Sequence, residues 1–106
     1  MKTSIIVTTD KIAFHKYDNA PEKVKFLRNL HRHKFYIKVG IEVFHDDREL
    51  EFFMVQEALN NFLKDKNQIN SCEMLAKDIK KWIEKTYDRT CLVEVWEDKE
   101  NGARVE

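Results

Sequence analysis

The sequence predicts an α+β fold: an antiparallel four-stranded sheet with two helices packed on one face, in the order ββααββ. Three observations carry this. Residues 31–43 alternate polar and apolar side chains with a period of two, as a half-buried strand does. Two later stretches space their apolar residues by three and four, as amphipathic helices do. Runs rich in β-branched residues near both ends of the chain supply the remaining strands.

Residues 3–15, rich in Ile, Val and Thr, read as the first strand. Residues 16–29 hold the one proline, Pro21, among many charges, and read as a loop with a single helical turn. The second strand spans 31–44. Its odd positions, His31, His33, Phe35, Ile37, Val39, Ile41 and Val43, form one face. Its even positions include Arg32, Lys34, Tyr36, Lys38 and Glu42 and read as solvent-facing. His45-Asp46-Asp47-Arg48 is a turn. From Glu51 onward, Phe52, Val55, Leu59, Phe62 and Leu63 mark the first helix, and the polar stretch from Lys64 to Ile69 breaks it. Asn70, three residues before Glu73, makes a capping-box-like start for the second helix. That helix carries Leu75, Ile79, Trp82, Ile83 and Thr86 along one side. The third strand covers 90–97, with Cys91, Val93, Val95 and Glu97 on one face, and a short fourth strand covers 102–106.

At 106 residues the chain forms one domain, 1–106, with no room for a second core. It is small enough that oligomerisation would help it. Nineteen basic residues balance nineteen acidic ones, which argues against nucleic acid or an anionic membrane as the main partner. Two cysteines, Cys72 and Cys91, do not make a disulfide framework, and a reducing compartment follows. The Ile5-Ile6-Val7 run is too short for a signal peptide or a membrane span. Together these features read as a cytoplasmic protein.

Two imidazoles, His31 and His33, continue the apolar wall of the second strand at its start. Each buried ring nitrogen needs a partner, so the pair reads either as core histidines satisfied by the backbone or as two ligands of one metal ion. Zinc needs a third protein ligand, and two other histidines exist, His15 and His45. Glu97 ends the apolar face of the third strand. It reads either as a solvated strand end or as a carboxylate that accepts two N–H bonds from a heterocycle.

Several separated stretches, in order across nearly the whole chain, resemble the family of 6-pyruvoyl-tetrahydropterin and 6-carboxytetrahydropterin synthases, of the tunnelling fold. Ala13-Phe14-His15 resembles the end of the family's first strand, and His31-Arg32-His33 its His-Gly-His motif. Leu50-Glu51-Phe52 with Val55 is similar to the start of its first helix. Asn70-Ser71-Cys72-Glu73-Met74-Leu75-Ala76 is similar to the Pro-Thr-Ser-Glu-Asn-Leu-Ala start of its second. Val93-Glu94-Val95-Trp96-Glu97 resembles the strand whose last glutamate anchors the pterin.

The resemblance implies a zinc ion on His15, His31 and His33, with a pterin or purine-like ligand held by Glu97 and by Ser71 and Cys72 at the helix start. It implies lyase chemistry on dihydroneopterin triphosphate or a related pterin, the carboxy branch leading toward 7-deazapurines such as queuosine. It also implies a homo-oligomer, trimer or hexamer, with sites between subunits. Four departures stand against this. The family's catalytic cysteine position is Leu27, and its catalytic histidine position is Lys66, beside a retained Asp65. The glycine between the zinc histidines is Arg32, and the threonine after the anchoring glutamate is Asp98. Asp18, Glu22, His45 and Lys66 are candidate replacements in acid–base work. Each also reads as a solvated loop residue. The sequence therefore carries three readings. The first is a divergent zinc-dependent pterin synthase. The second is a zinc-binding tunnelling-fold protein that binds a pterin or purine without the chemistry. The third is an oligomeric interaction module with structural histidines.

Overall fold

The computed structural model describes residues 1–106. Strands β1 (Thr3–His15) and β2 (His31–Val43) form a long hairpin. A 3-10 segment, Glu22–Arg28, with a kink at Val24, lies between them. Helices α1 (Phe52–Leu63) and α2 (Cys72–Tyr87) follow, then β3 (Cys91–Glu97) and β4 (Asn101–Val105). The strands pair in the order β1-β2-β3-β4, every neighbour antiparallel. This is the α+β architecture that the alternation and the helical spacing predict.

The odd positions of every strand turn to one face because side chains alternate along a strand. Val7, Phe35, Ile37, Val39, Ile41, Val93 and Val95 are buried there. Against them pack Val55, Leu59 and Leu63 of α1 and Leu75, Ala76, Ile79 and Ile83 of α2, closing one core. Helix α1 lies over β1, and α2 lies over β3 and β4. The opposite face carries no helix and leaves Ile6, Ile12 and Phe14 exposed. Strand β4 is an open edge, and β1 is open except at Phe14, where the segment 67–69 pairs with it. The radius of gyration, 15.1 Å, exceeds the roughly 13 Å of a compact chain of this length, since the long hairpin is covered on one side alone.

Several boundaries differ from the sequence expectation. Ser71, not Asn70, caps α2: its hydroxyl oxygen accepts the Met74 N–H at 3.1 Å. Ser71 is the last extended residue before the helix, one residue later than the motif spacing implies. Glu51 caps α1 in the same way through the Met54 N–H. The loop after β1 holds more than a single turn, because the 3-10 segment runs over seven residues. Thr86 faces solvent, and Ala76 takes its expected place on the buried side of α2. Phe52 is exposed because the first turn of α1 overhangs the far end of the sheet, near Thr3, Ile5 and Val43. No helix is long and apolar enough to cross a membrane.

Candidate functional site

The β1–β2 hairpin pairs residue for residue from Thr3↔Val43 to His15↔His31. Its last pair therefore sets His15 directly across from His31, and the pair Ala13↔His33 sets His33 diagonally beside them. All three are odd positions and turn to the helix-covered face. The ring centroids stand 4.7 Å (His31–His33), 5.1 Å (His15–His31) and 6.0 Å (His15–His33) apart. Pairing of β2 with β3 puts Glu97 opposite Phe35, next along the same face from His33. The Glu97 carboxylate lies 3.8 Å from Nε2 of His15 and 3.8 Å from Nε2 of His33. Four residues named from the sequence thus meet at one end of the sheet.

The partners of the rings determine which nitrogen carries the proton. His15 Nδ1 faces the Ile69 carbonyl at 3.0 Å, and His31 Nδ1 faces the Asn29 carbonyl at 2.7 Å. His33 Nδ1 faces the Asp98 carboxylate at 2.5 Å. Carbonyls and carboxylates only accept, so each Nδ1 is the N–H donor, and a ring in its neutral form keeps its lone pair on Nε2. The Nε2 atoms of His31 and His33 are buried with no hydrogen-bond partner. Leaving a buried polar atom unpaired costs about 1–3 kcal/mol, so each of these two atoms calls for a further partner, a water or a bound group.

Three imidazole nitrogens are the donor type that a divalent metal such as zinc takes. Three imidazoles bonded to one tetrahedral zinc at about 2.0–2.1 Å place their ring centroids roughly 5 Å apart, and the observed separations bracket that value. Metal-bound histidines commonly donate their other N–H to a carbonyl or carboxylate, which all three do here. The side chains as they stand form no group of three or more His, Cys, Asp or Glu in metal-holding geometry. The backbone register sets the three rings side by side, and each Nδ1 is held by its own acceptor.

Beside the cluster lies a cavity of about 400 Å³, lined by His15, Tyr17, Asn70, Ser71, Cys72, Glu73, Glu97, Asn101 and Gly102. Ser71 and Cys72 reach it because they open α2. Burial, and then the negative charge of Glu97, push the Cys72 thiol up to about 12. It stays protonated at neutral pH and serves as a weak donor rather than a nucleophile. The Asp98 carboxyl is held below the usual carboxylate range, first by the Lys34 backbone N–H and then by His33. Two other depressions, of about 470 Å³ and about 810 Å³, contain none of the three clustered histidines.

The candidate acid–base replacements fall elsewhere. His45 lies beyond the other end of β2, a strand of 13 residues, and so roughly 40 Å from His31 at about 3.3 Å per residue. Glu22 pairs with Lys25 and Arg28, and Asp18 with Lys16. Lys66 lies over the Phe62 ring. Arg32 is an even position and projects from the uncovered face, so it does not crowd the imidazoles. Leu27 uses its carbonyl to accept the Tyr17 N–H, within the 3-10 segment that leads back to His31.

Sequence reasoning passed over two contributors. The Lys64–Ile69 stretch reads as a polar break. In the structure it runs along β1: Asn67 accepts the Phe14 N–H and Ile69 donates to the Phe14 carbonyl, both at 2.8 Å. This brings the Ile69 carbonyl to His15 and delivers Ser71 and Cys72 to the cavity. The buried apolar Ile69 in a polar stretch was its one signal. Asp98 read only as a departure from a motif, yet it is the partner of His33. No protein-family model matches the chain, and no curated protein is significantly similar to it.

Proposed function

We propose that this chain is a divergent zinc-dependent protein of the 6-pyruvoyl-/6-carboxytetrahydropterin synthase type, acting on dihydroneopterin triphosphate or a related pterin. One observation carries the reading: three histidines anchored through Nδ1, two with buried and unpaired Nε2 atoms, stand beside a carboxylate that faces a cavity. His15, His31 and His33 would hold the ion. Zinc, when bound, supplies Lewis-acid polarisation of a substrate oxygen. Glu97 would accept two N–H bonds from the edge of the heterocycle, a charge-assisted contact that fixes its orientation. Ser71 keeps its hydroxyl hydrogen free, because its oxygen accepts from Met74, and it offers that hydrogen to the ligand.

A second reading has its own support. Leu27 carries no proton-transfer group, Lys66 packs on Phe62, and Cys72 is held protonated. General acids and bases contribute about 10²–10⁴-fold each. A protein that binds zinc and a pterin or purine without turning it over fits this wall. The open edge of β4, the part of β1 not paired with segment 67–69, and the uncovered sheet face support a homo-oligomer, trimer or hexamer, in either case, since pairing between copies would remove the edges.

The test is the metal content of the purified protein, followed by incubation with dihydroneopterin triphosphate. About one zinc per chain together with a new pterin product supports the synthase reading. Zinc and pterin binding without product supports the second. Absence of zinc in protein never exposed to chelator overturns both.

A further inference from the structure

We propose that Asp98 is a positioning residue that fixes His33 as an Nε2 donor, through a carboxylate–imidazole contact joining the end of β3 to the start of β2. The proposal rests on the metal reading above. His15 and His31 are held by the main-chain carbonyls of Ile69 and Asn29, which side-chain substitution does not remove. His33 alone of the three depends on a side chain, and that side chain is charged.

Asp98 is itself tightly placed. Its Oδ1 accepts the Lys34 N–H at 3.0 Å, and its own N–H donates to the Lys34 carbonyl at 2.9 Å. Its second oxygen, Oδ2, is thereby aimed at His33 Nδ1 at 2.5 Å. The backbone at Asp98 is left-handed, φ 51°, and Lys99 follows at φ 62°. Asp and Asn tolerate this region better than other side-chain-bearing residues. The turn that reverses the chain into β4 therefore also presents the carboxylate. Glu97 and Asp98, adjacent in sequence, divide the work: one faces the Nε2 side of the cluster, the other holds an Nδ1. A carboxylate on the outer nitrogen fixes the tautomer and raises the basicity of the metal-facing nitrogen.

Asp98→Asn isolates this role. The asparagine suits the left-handed backbone and its oxygen can still accept the Lys34 N–H. Its NH₂ then faces His33 Nδ1 as a donor, so the ring proton has to move to Nε2. Two readouts are required: the histidine tautomers of metal-free protein by ¹H–¹⁵N correlation NMR, and zinc affinity by competition with a chromophoric chelator. Wild type is expected to show His33 as Nδ1–H. Asp98→Asn should convert His33 alone to Nε2–H and weaken zinc about 10–100-fold, leaving His15 and His31 unchanged. Asp98→Gly, which fits a positive φ without strain, should also weaken zinc and give mixed His33 tautomers. An unchanged His33 tautomer in both variants overturns the positioning role, as does a converted tautomer with undiminished zinc affinity. If wild type takes up no zinc, the metal reading falls and takes the purpose assigned to Asp98 with it. A failure confined to the variants leaves the metal reading standing.

Discussion

His15 and His31 are the terminal cross-strand pair of the β1–β2 hairpin, their rings edge-on with centroids 5.1 Å apart. A register that runs unbroken from Thr3↔Val43 brings the two together across the fifteen residues that separate them. His15→Ala and His31→Ala are each expected to lose bound zinc, while His45→Ala, at the opposite end of the sheet, should keep it. Elemental mass spectrometry of the three variants decides this. Full retention in His31→Ala would sink the triad.

Glu97 faces two Nε2 atoms but sits 3.8 Å from each, too far for hydrogen bonds to either. Neither imidazole takes up its oxygens, and the neighbour that reaches the carboxylate is the Cys72 thiol, a weak donor that a ligand N–H can displace. Glu97→Gln replaces one acceptor by a donor and removes the charge. Loss of a hydrogen bond to a charged group costs about 1.5–3 kcal/mol, so pterin affinity should fall roughly 10–100-fold while zinc content holds. Calorimetric titration with a pterin checks the first half and metal analysis the second. Unchanged affinity would remove Glu97 from the anchoring role.

The Cys72 thiol, pushed up to about 12 by burial and by Glu97, should alkylate slowly. At pH 8 its thiolate fraction is roughly a thousandfold below that of an ordinary thiol near 8.5. Iodoacetamide labelling followed by mass spectrometry should leave Cys72 unmodified in folded protein and label it fully in denaturant. Rapid labelling of the native protein would show an exposed, activated thiol instead.

On the uncovered sheet face, Glu94 is buried, and its carboxylate accepts from Trp96 Nε1 at 3.0 Å and Arg104 Nε at 2.9 Å. The Trp96 hydrogen bond, and then Arg104, hold its pKa below the usual range. A depressed folded-state pKa adds stability that is fully present above the unfolded value, about 4.3 for Glu, and is lost as pH falls through the folded one. Glu94→Ala should cost about 1–3 kcal/mol at neutral pH. The gap between variant and wild type should begin to narrow below about pH 4.3 and keep shrinking as pH falls through the folded pKa. Denaturant unfolding at pH 7 and pH 3 tests both, and a gap as wide at pH 3 as at pH 7 would rule out the ionised carboxylate as its source.

Gly102 pairs with Trp96 across β3 and β4. A Cβ there would press on the Val95 carbonyl oxygen and stand 2.9 Å from Trp96 Cα. The obstruction is backbone, which cannot swing aside. Gly102→Ala should destabilise by about 1–3 kcal/mol, the usual range for overpacking, and loosen β4 first. Hydrogen exchange would show faster exchange in 101–105 than in β2. Uniform protection would mean that the sheet absorbs the methyl.

What the sequence determined by itself is whatever repeats locally. The inward set Phe35, Ile37, Val39 and Ile41 follows from a period of two, and Val55, Leu59 and Leu63 from helical spacing, so the α+β order and both core faces were legible. That His31, His33 and Glu97 share the inward face followed from the same parity. Tertiary structure decided everything that joins distant segments. Asp98 meets His33 across 65 residues of chain, and Ile69 meets His15 across 54. Both contacts require a particular strand register or a particular path for a polar connector, and no local pattern encodes either. Ser71 displaced Asn70 as the cap for a similar reason: the pairing of Asn67–Ile69 with Phe14 sets where the chain can turn into α2. Side-chain periodicity is a property of a few neighbouring residues. The proton positions on the three histidines are a property of the acceptors that folding brings to them.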